Sequence, residues 1–207
     1  MLLHTMTEAE IKKEIERDLR WALNEFELNS AAAFRKVNKL NRKKFPASVT
    51  YKRISPRNNT IYLTYVFTIT RTQLYCHIKI CFLMTLGNGK HKLLETSIKP
   101  DHTPELIAIY ASHFFDRYAE RLNIKQTGLN AIEHFVYRYY HGTFHSANNK
   151  VFESYPFGIG LGNWDGGKIM YINTFVANDM CFDDQIERID IIKAKHNPSL
   201  QMTTIFK

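Results

Sequence analysis

The stretch TIYLTYVFTITRTQLYCHIKICFLM, residues 60–84, decides how the chain is read. Thr60 to Arg71 and Leu74 to Met84 are both rich in the β-branched and aromatic residues that pack well on a pleated surface. Only Thr72-Gln73 separates them, and so short a connection requires an antiparallel pair. Residues 49–54 precede this pair across Ser55-Pro56-Arg57-Asn58-Asn59, and Lys90 to Ile98 follow it across Gly87-Asn88-Gly89; both links are made of turn-forming residues. A four-stranded antiparallel meander is therefore predicted over residues 49–98.

Helices are expected on either side. Ile11, Ile15, Leu19, Ala22 and Phe26 recur at helical spacing after Thr7, with Glu10 placed to complete a capping box. Asn29-Ser30 can cap a second helix carrying Phe34, Val37 and Leu40 and ending before Pro46. Thr103-Pro104-Glu105 reads as the start of a helix running to about Asn123, and another is expected from about Gly128 to His141. Phe157 to Gly162 alternates with period two, turns through Asn163 to Gly167 and returns as Lys168 to Val176, which predicts a hairpin. Asn178 or Asp179 caps a last helix bearing Phe182, Ile186 and Ile189. The expected fold class is α+β: N-terminal helices, an antiparallel meander, a central helix pair, and a C-terminal β-hairpin and helix. One domain over residues 1–207 is expected, with a helical segment at 1–46, strands at 47–100, and a helix-helix-hairpin-helix region at 101–196.

A composition of 44% hydrophobic and 13% aromatic residues suits a packed core rather than a disordered chain. No apolar run approaches the roughly 20 residues of a membrane span, and Met1 to Met6 has no charged region ahead of an apolar stretch. The expectation is a cytoplasmic protein without a membrane partner. Cys76 and Cys81 are an odd number of residues apart on one strand, so they point to opposite faces; with Cys181 they read as small apolar side chains.

Charge is distributed unevenly. Residues 1–34 carry 4 basic and 7 acidic residues, residues 35–100 carry 14 basic residues against Glu95 alone, and residues 101–207 carry 10 basic against 12 acidic. So lopsided a block points to an anionic partner, with nucleic acid ahead of a membrane surface. Arg35, Lys36, Lys39, Arg42, Lys43 and Lys44 form its densest patch, and Arg138 adds a base on a later helix.

On a helix through 103–123, His113, Arg117 and Arg121 form one stripe, with Phe114, Phe115, Tyr118 and Leu122 on the core face. Leu106, Ile109 and Tyr110 would fall on the same side as His113, placing it where burial gives way to charge. An imidazole titrates near neutrality and guanidinium forks bind phosphate oxygens in pairs, so the stripe suits acid–base work on an anion. The plainer alternative is a solvated face on which Arg117 pairs with Glu120. His134, Arg138 and His141 repeat the pattern one helix later, and His77 and His91 read as satisfied structural histidines within strands. Metal-ligand spacing is absent, so neither metal nor cofactor is expected. Gly158, Gly160 and Gly162 alternate on one strand face and leave a trough for close helix packing rather than a dinucleotide loop.

His113-x3-Arg117-Tyr118-x2-Arg121, followed by a glycine-rich hairpin and Asn173-Thr174-Phe175-Val176, resembles the barnase, EndoU, colicin and RelE-like nucleases, particularly their phage and mobile-element branches, over about residues 100–190. The resemblance implies a metal-independent ribonuclease of toxin type, acting on RNA rather than DNA, with an inhibitor protein as a further partner. It would make His113 the acid–base group, Arg117 and Arg121 the phosphate clamps, and Thr174 a polar contact from a strand. His134, His141 and Tyr118 are then the candidates for a second base. A non-catalytic nucleic-acid-binding module, or an accessory protein-interaction domain, is the alternative.

Overall fold

The computed structural model describes residues 1–41, 44–70, 73–98, 104–139, 143–147, 149–164 and 169–181. Its elements, in chain order, are α1 (Glu8–Val37), β1 (Ala47–Ile54), β2 (Thr60–Ile69), β3 (Leu74–Thr85), β4 (His91–Ile98), β5 (Pro104–Tyr110), α2 (Ser112–Arg121), α3 (Leu129–Tyr139), β6 (Thr143–Ala147), β7 (Lys150–Tyr155), β8 (Gly158–Trp164) and β9 (Met170–Ala177). The α+β class and the meander of β1 to β4 are as the sequence predicts. Nine strands form one sheet in the order β1-β2-β3-β4-β5-β9-β8-β7-β6, antiparallel throughout except where β5 meets β9.

Several elements differ from expectation. The capping box at Thr7 and Glu10 forms, but α1 runs through Asn29-Ser30 without a break. Asn29 Nδ2 donates to the Glu25 carbonyl and Ser30 Oγ to the Glu27 carbonyl, so both side chains bond back into their own helix instead of capping a new one. Residues 104–110 are a strand, not the first turns of a helix. A short apolar run serves either structure, and here it is paired on both sides, with Leu93 and Leu94 of β4 opposite Tyr110 and Ile109, and β9 on the other edge. The helix begins only at Ser112. Finally, β6 and β7 were not foreseen. Of the expected last helix, Asn178–Met180 is a 3-10 turn, and Phe182, Ile186 and Ile189 lie outside the described residues.

The alternation of the strands distributes the core over two faces. Ile61, Leu63, Ile80, Phe82 and Leu94 pack under Ile11, Ile15, Leu19 and Ala22 of α1, and Tyr65 and Phe67 pack under its later residues Phe26, Ala33 and Val37. On the opposite face Tyr62, Cys81, Leu93 and Tyr110 meet Phe114, Phe115 and Tyr118 of α2 and Phe135 of α3. Burial of each such aromatic stabilises the fold by roughly 1.5–3 kcal/mol. Cys76 and Cys81 fall on opposite faces, as their spacing requires. The glycines of β8 are used for packing: a Cβ on Gly160 would lie 3.2 Å from Phe114 Cε2 and 3.0 Å from Ile172 Cγ2, and one on Gly158 would strike the Phe175 ring.

The sheet is curled. Strands β9 and β8 lie between β5 and β7, so in a flat sheet β5 and β7 would be about 14 Å apart with their side chains standing parallel. Instead Tyr110 of β5 and Glu153 of β7 are in hydrogen-bond contact. The concave face holds α2 and α3, and the other face carries α1.

Candidate functional site

The α2 stripe divides once it is folded. Because β5 precedes it, Leu106, Ile109 and Tyr110 do not share a helix with His113, and His113 is exposed rather than set at a buried margin. Arg117 Nε donates to His113 Nε2 at 3.4 Å while its Nη1 donates to Glu120 Oε2 at 2.6 Å, the ion pair expected of a solvated helix face. Arg121 donates to the Phe175 carbonyl, so its guanidinium ties the end of α2 to β9. Phe175 points at α2, packing on Phe114 and Tyr118. Thr174, the preceding residue of the strand, therefore projects from the other face. The structure brings His113 and Arg117 together and leaves Arg121 and Thr174 apart from them.

A second pairing joins two of the three residues named as further bases. Tyr118 Oη lies 2.8 Å from His134 Nδ1, connecting α2 to α3; His141 lies outside the described residues. Burial, followed by the charge of Arg138 one turn later, holds the His134 imidazole below its usual value. It is therefore neutral at physiological pH, and such a ring can accept a proton.

The basic block is partly answered within the fold. Lys52 pairs with Glu133 at 2.6 Å, Arg53 with Glu25 at 3.0 Å, Arg57 with Glu14 at 3.1 Å and Lys90 with Asp116 at 3.0 Å, each acid coming from outside residues 35–100. The excess of charge along the sequence is thus partly cancelled in space. Arg35, Lys36, Lys39 and Lys44 remain exposed and have no acidic partner among the described residues. Arg42 and Lys43 lie outside the described residues. Lys36 Nζ stands 5.1 Å from the centroid of the Tyr51 ring, which places the end of α1 beside edge strand β1. From the opposite face, Thr50 Oγ1 donates to the Val136 carbonyl at 3.3 Å, bringing the end of α3, with exposed Arg138, to the same stretch of β1. Bases separated by about 100 residues of chain therefore flank one sheet edge.

Five further residues are brought together only by the fold. Lys79 (β3), Glu95 (β4), Tyr110 (β5), Glu153 and Tyr155 (both β7) form a polar cluster inside the concave face. Lys79 Nζ lies 3.1 Å from Glu95 Oε1. Tyr110 Oη lies 2.9 Å from Glu95 Oε2 and 2.8 Å from Glu153 Oε2, and Tyr155 donates to the same Glu153 oxygen. Glu153 Oε1 is buried without a partner among the described residues. A signal was available: Lys79 is the single charge of β3, Glu153 the single acid of β7, and Glu95 the only acid in residues 35–100. His77 also departs from expectation, since its Nε2 is buried without a partner among the described residues, whereas His91 Nδ1 meets Thr85 Oγ1 at 3.3 Å.

Among the described residues no three His, Cys, Asp or Glu side chains are grouped to hold a metal ion, and no helix is long and apolar enough to cross a membrane. No protein-family model, curated protein or solved structure matches the chain.

Proposed function

We propose that the protein binds nucleic acid, RNA ahead of DNA, through the basic edge around β1. The observation that supports it is the contrast in charge: Lys52, Arg53, Arg57, Lys79 and Lys90 are matched by acids, whereas Arg35, Lys36, Lys39, Lys44 and Arg138 stay exposed around one strand edge. Unmatched bases neutralise phosphates and release condensed counterions, so affinity depends on salt. Four or five such contacts to a single strand give a log–log salt slope of about −3. Fluorescence anisotropy with a labelled single-stranded RNA between low and physiological salt measures this slope. Replacing Arg35, Lys36, Lys39 and Lys44 with Glu should weaken binding more than tenfold at low salt and flatten the slope. Binding that is indifferent to salt, or to those substitutions, removes the proposal.

Cleavage of the bound RNA is a second reading, favoured by the Tyr118–His134 contact beside Arg138. A neutral imidazole oriented by a hydroxyl can take a proton from a ribose 2′-hydroxyl, and a guanidinium can stabilise the developing charge on phosphorus. The reaction centre would then lie between α2 and α3 instead of on the His113 stripe. RNA cleavage in EDTA that is lost in His134→Ala and kept in His113→Ala would support this location. The reverse pattern would return the centre to His113, and no cleavage by the wild type leaves the binding module.

A further inference from the structure

A phenol carries one hydrogen, yet Tyr110 Oη is within bonding distance of two carboxyl oxygens, at 2.9 Å from Glu95 and 2.8 Å from Glu153. It can donate to one only, so the other contact needs a hydrogen from the acid itself. Lys79 Nζ, 3.1 Å from Glu95 Oε1, fixes the negative charge on Glu95. The acid hydrogen then belongs to Glu153, whose Oε2 donates to Tyr110 while accepting from Tyr155. The bare, fully buried Oε1 agrees, because an unpartnered carbonyl costs far less in a core than an unpartnered carboxylate oxygen.

We propose that Glu153 is a neutral carboxylic acid that clasps β7 to the β3–β5 half of the curled sheet, and that its ionisation, with the proton passing to water, loosens this clasp. Other groups that could alter its charge are few. Cys81 on β3 and Glu95 on β4 face the cluster, and β6 contributes the Phe144 ring over Lys79 at 5.7 Å. From α2 and α3 the approach is made by the rings of Phe114 and Phe135, while Tyr118 is turned to His134. Lys79 is thus the one cation among the described groups facing two acids. Burial pushes the Glu153 carboxyl up to about 7, opposed by Lys79 and reinforced by Glu95.

The folded chain holds this proton more tightly than the unfolded one, so its contribution to stability is full below the unfolded value of about 4.5 and is lost as pH rises to about 7. His77 and His134, whose values are lowered chiefly by burial, act in the opposite direction over an overlapping range, so the test is a difference. Urea unfolding of wild type and Glu153→Gln, which mimics the neutral acid, is compared from pH 5 to pH 8. The ratio of their unfolding constants should change about tenfold per pH unit up to about pH 7 and then level off. A constant ratio overturns the proposal. If the variant does not fold, carbon-13 labelling of the glutamates in the wild type gives the same answer. One carboxyl resonance should titrate near neutrality, and a spectrum in which every glutamate titrates in the ordinary acid range overturns it.

Discussion

Glu14 and Asp18 on one face of the sheet and Glu95 and Glu153 on the other are all 6% exposed or less, yet their surroundings treat them differently. Around the first pair donors are plentiful. Ser55 Oγ and Asn59 Nδ2 donate to Asp18 Oδ2 at 2.5 and 2.7 Å, and Arg57 grips both oxygens of Glu14 at 3.1 and 3.2 Å. Arg57 holds the Glu14 carboxyl below its usual value in spite of burial. Around the second pair one ammonium and two hydroxyls serve four oxygens, and Glu153 moves the other way. Burial alone therefore does not set the direction of a carboxyl's shift; the number of donors within reach does. The difference also reflects position. The α1 cluster lies against the β1–β2 turn, which supplies polar side chains and backbone, whereas the concave cluster is enclosed by strands whose backbone groups are already paired.

Removing the cation of the poorer cluster should have the largest effect. Lys79→Met keeps the apolar stem and leaves two buried acids with no counter-charge, a change that costs about 3–5 kcal/mol when one partner of a buried pair is lost. The cost should be greatest at pH 8 and shrink at pH 5, where protons can replace the missing charge. Urea denaturation at both values measures it, and an equal loss at each would mean that Lys79 acts through packing alone. Asp18→Ala tests the richer cluster. It strands the donors of Ser55 and Asn59, at a cost of about 2–3 kcal/mol. Urea denaturation at neutral pH measures it, and a loss well below this range would mean that water takes over both donors.

The same contrast explains what could be read from the sequence. The meander from residue 49 to 98 is legible because β-branched and aromatic runs joined by short turns have one physical solution. Residues 104–110 were misread because local cues at Pro104-Glu105 fit a helix start, and only pairing with β4 and β9, chain segments up to about 65 residues away, makes them a strand. That one error moved His113 from a supposed buried margin to an exposed face. The basic block was legible as composition, but its cancellation by Glu14, Glu25, Asp116 and Glu133 is a property of the folded chain. Lys79 is the only charge of β3 and Glu95 the only acid of residues 35–100, yet Glu153 becomes their neighbour only because the sheet curls.

The smallest predicted effect belongs to Arg57, and its pH window separates the clusters most cleanly. Glu14 has a folded value below that of the unfolded chain, so its contribution to stability is present above about pH 4.5 and is lost as pH falls through the folded value. In Arg57→Met the largest contribution that depresses Glu14 is gone, although the Asn59 hydrogen bond, Arg17 at 3.5 Å and the chain's amino terminus at 3.6 Å remain. The variant should therefore be modestly less stable than the wild type at neutral pH, and the two unfolding curves should converge below pH 4.5. Nothing in this pair titrates between pH 5 and pH 8, the range in which Lys79→Met and Glu153→Gln act. A pH-dependent gap between wild type and Arg57→Met in that upper range would mean that the two faces of the sheet are electrostatically coupled through the strands between them.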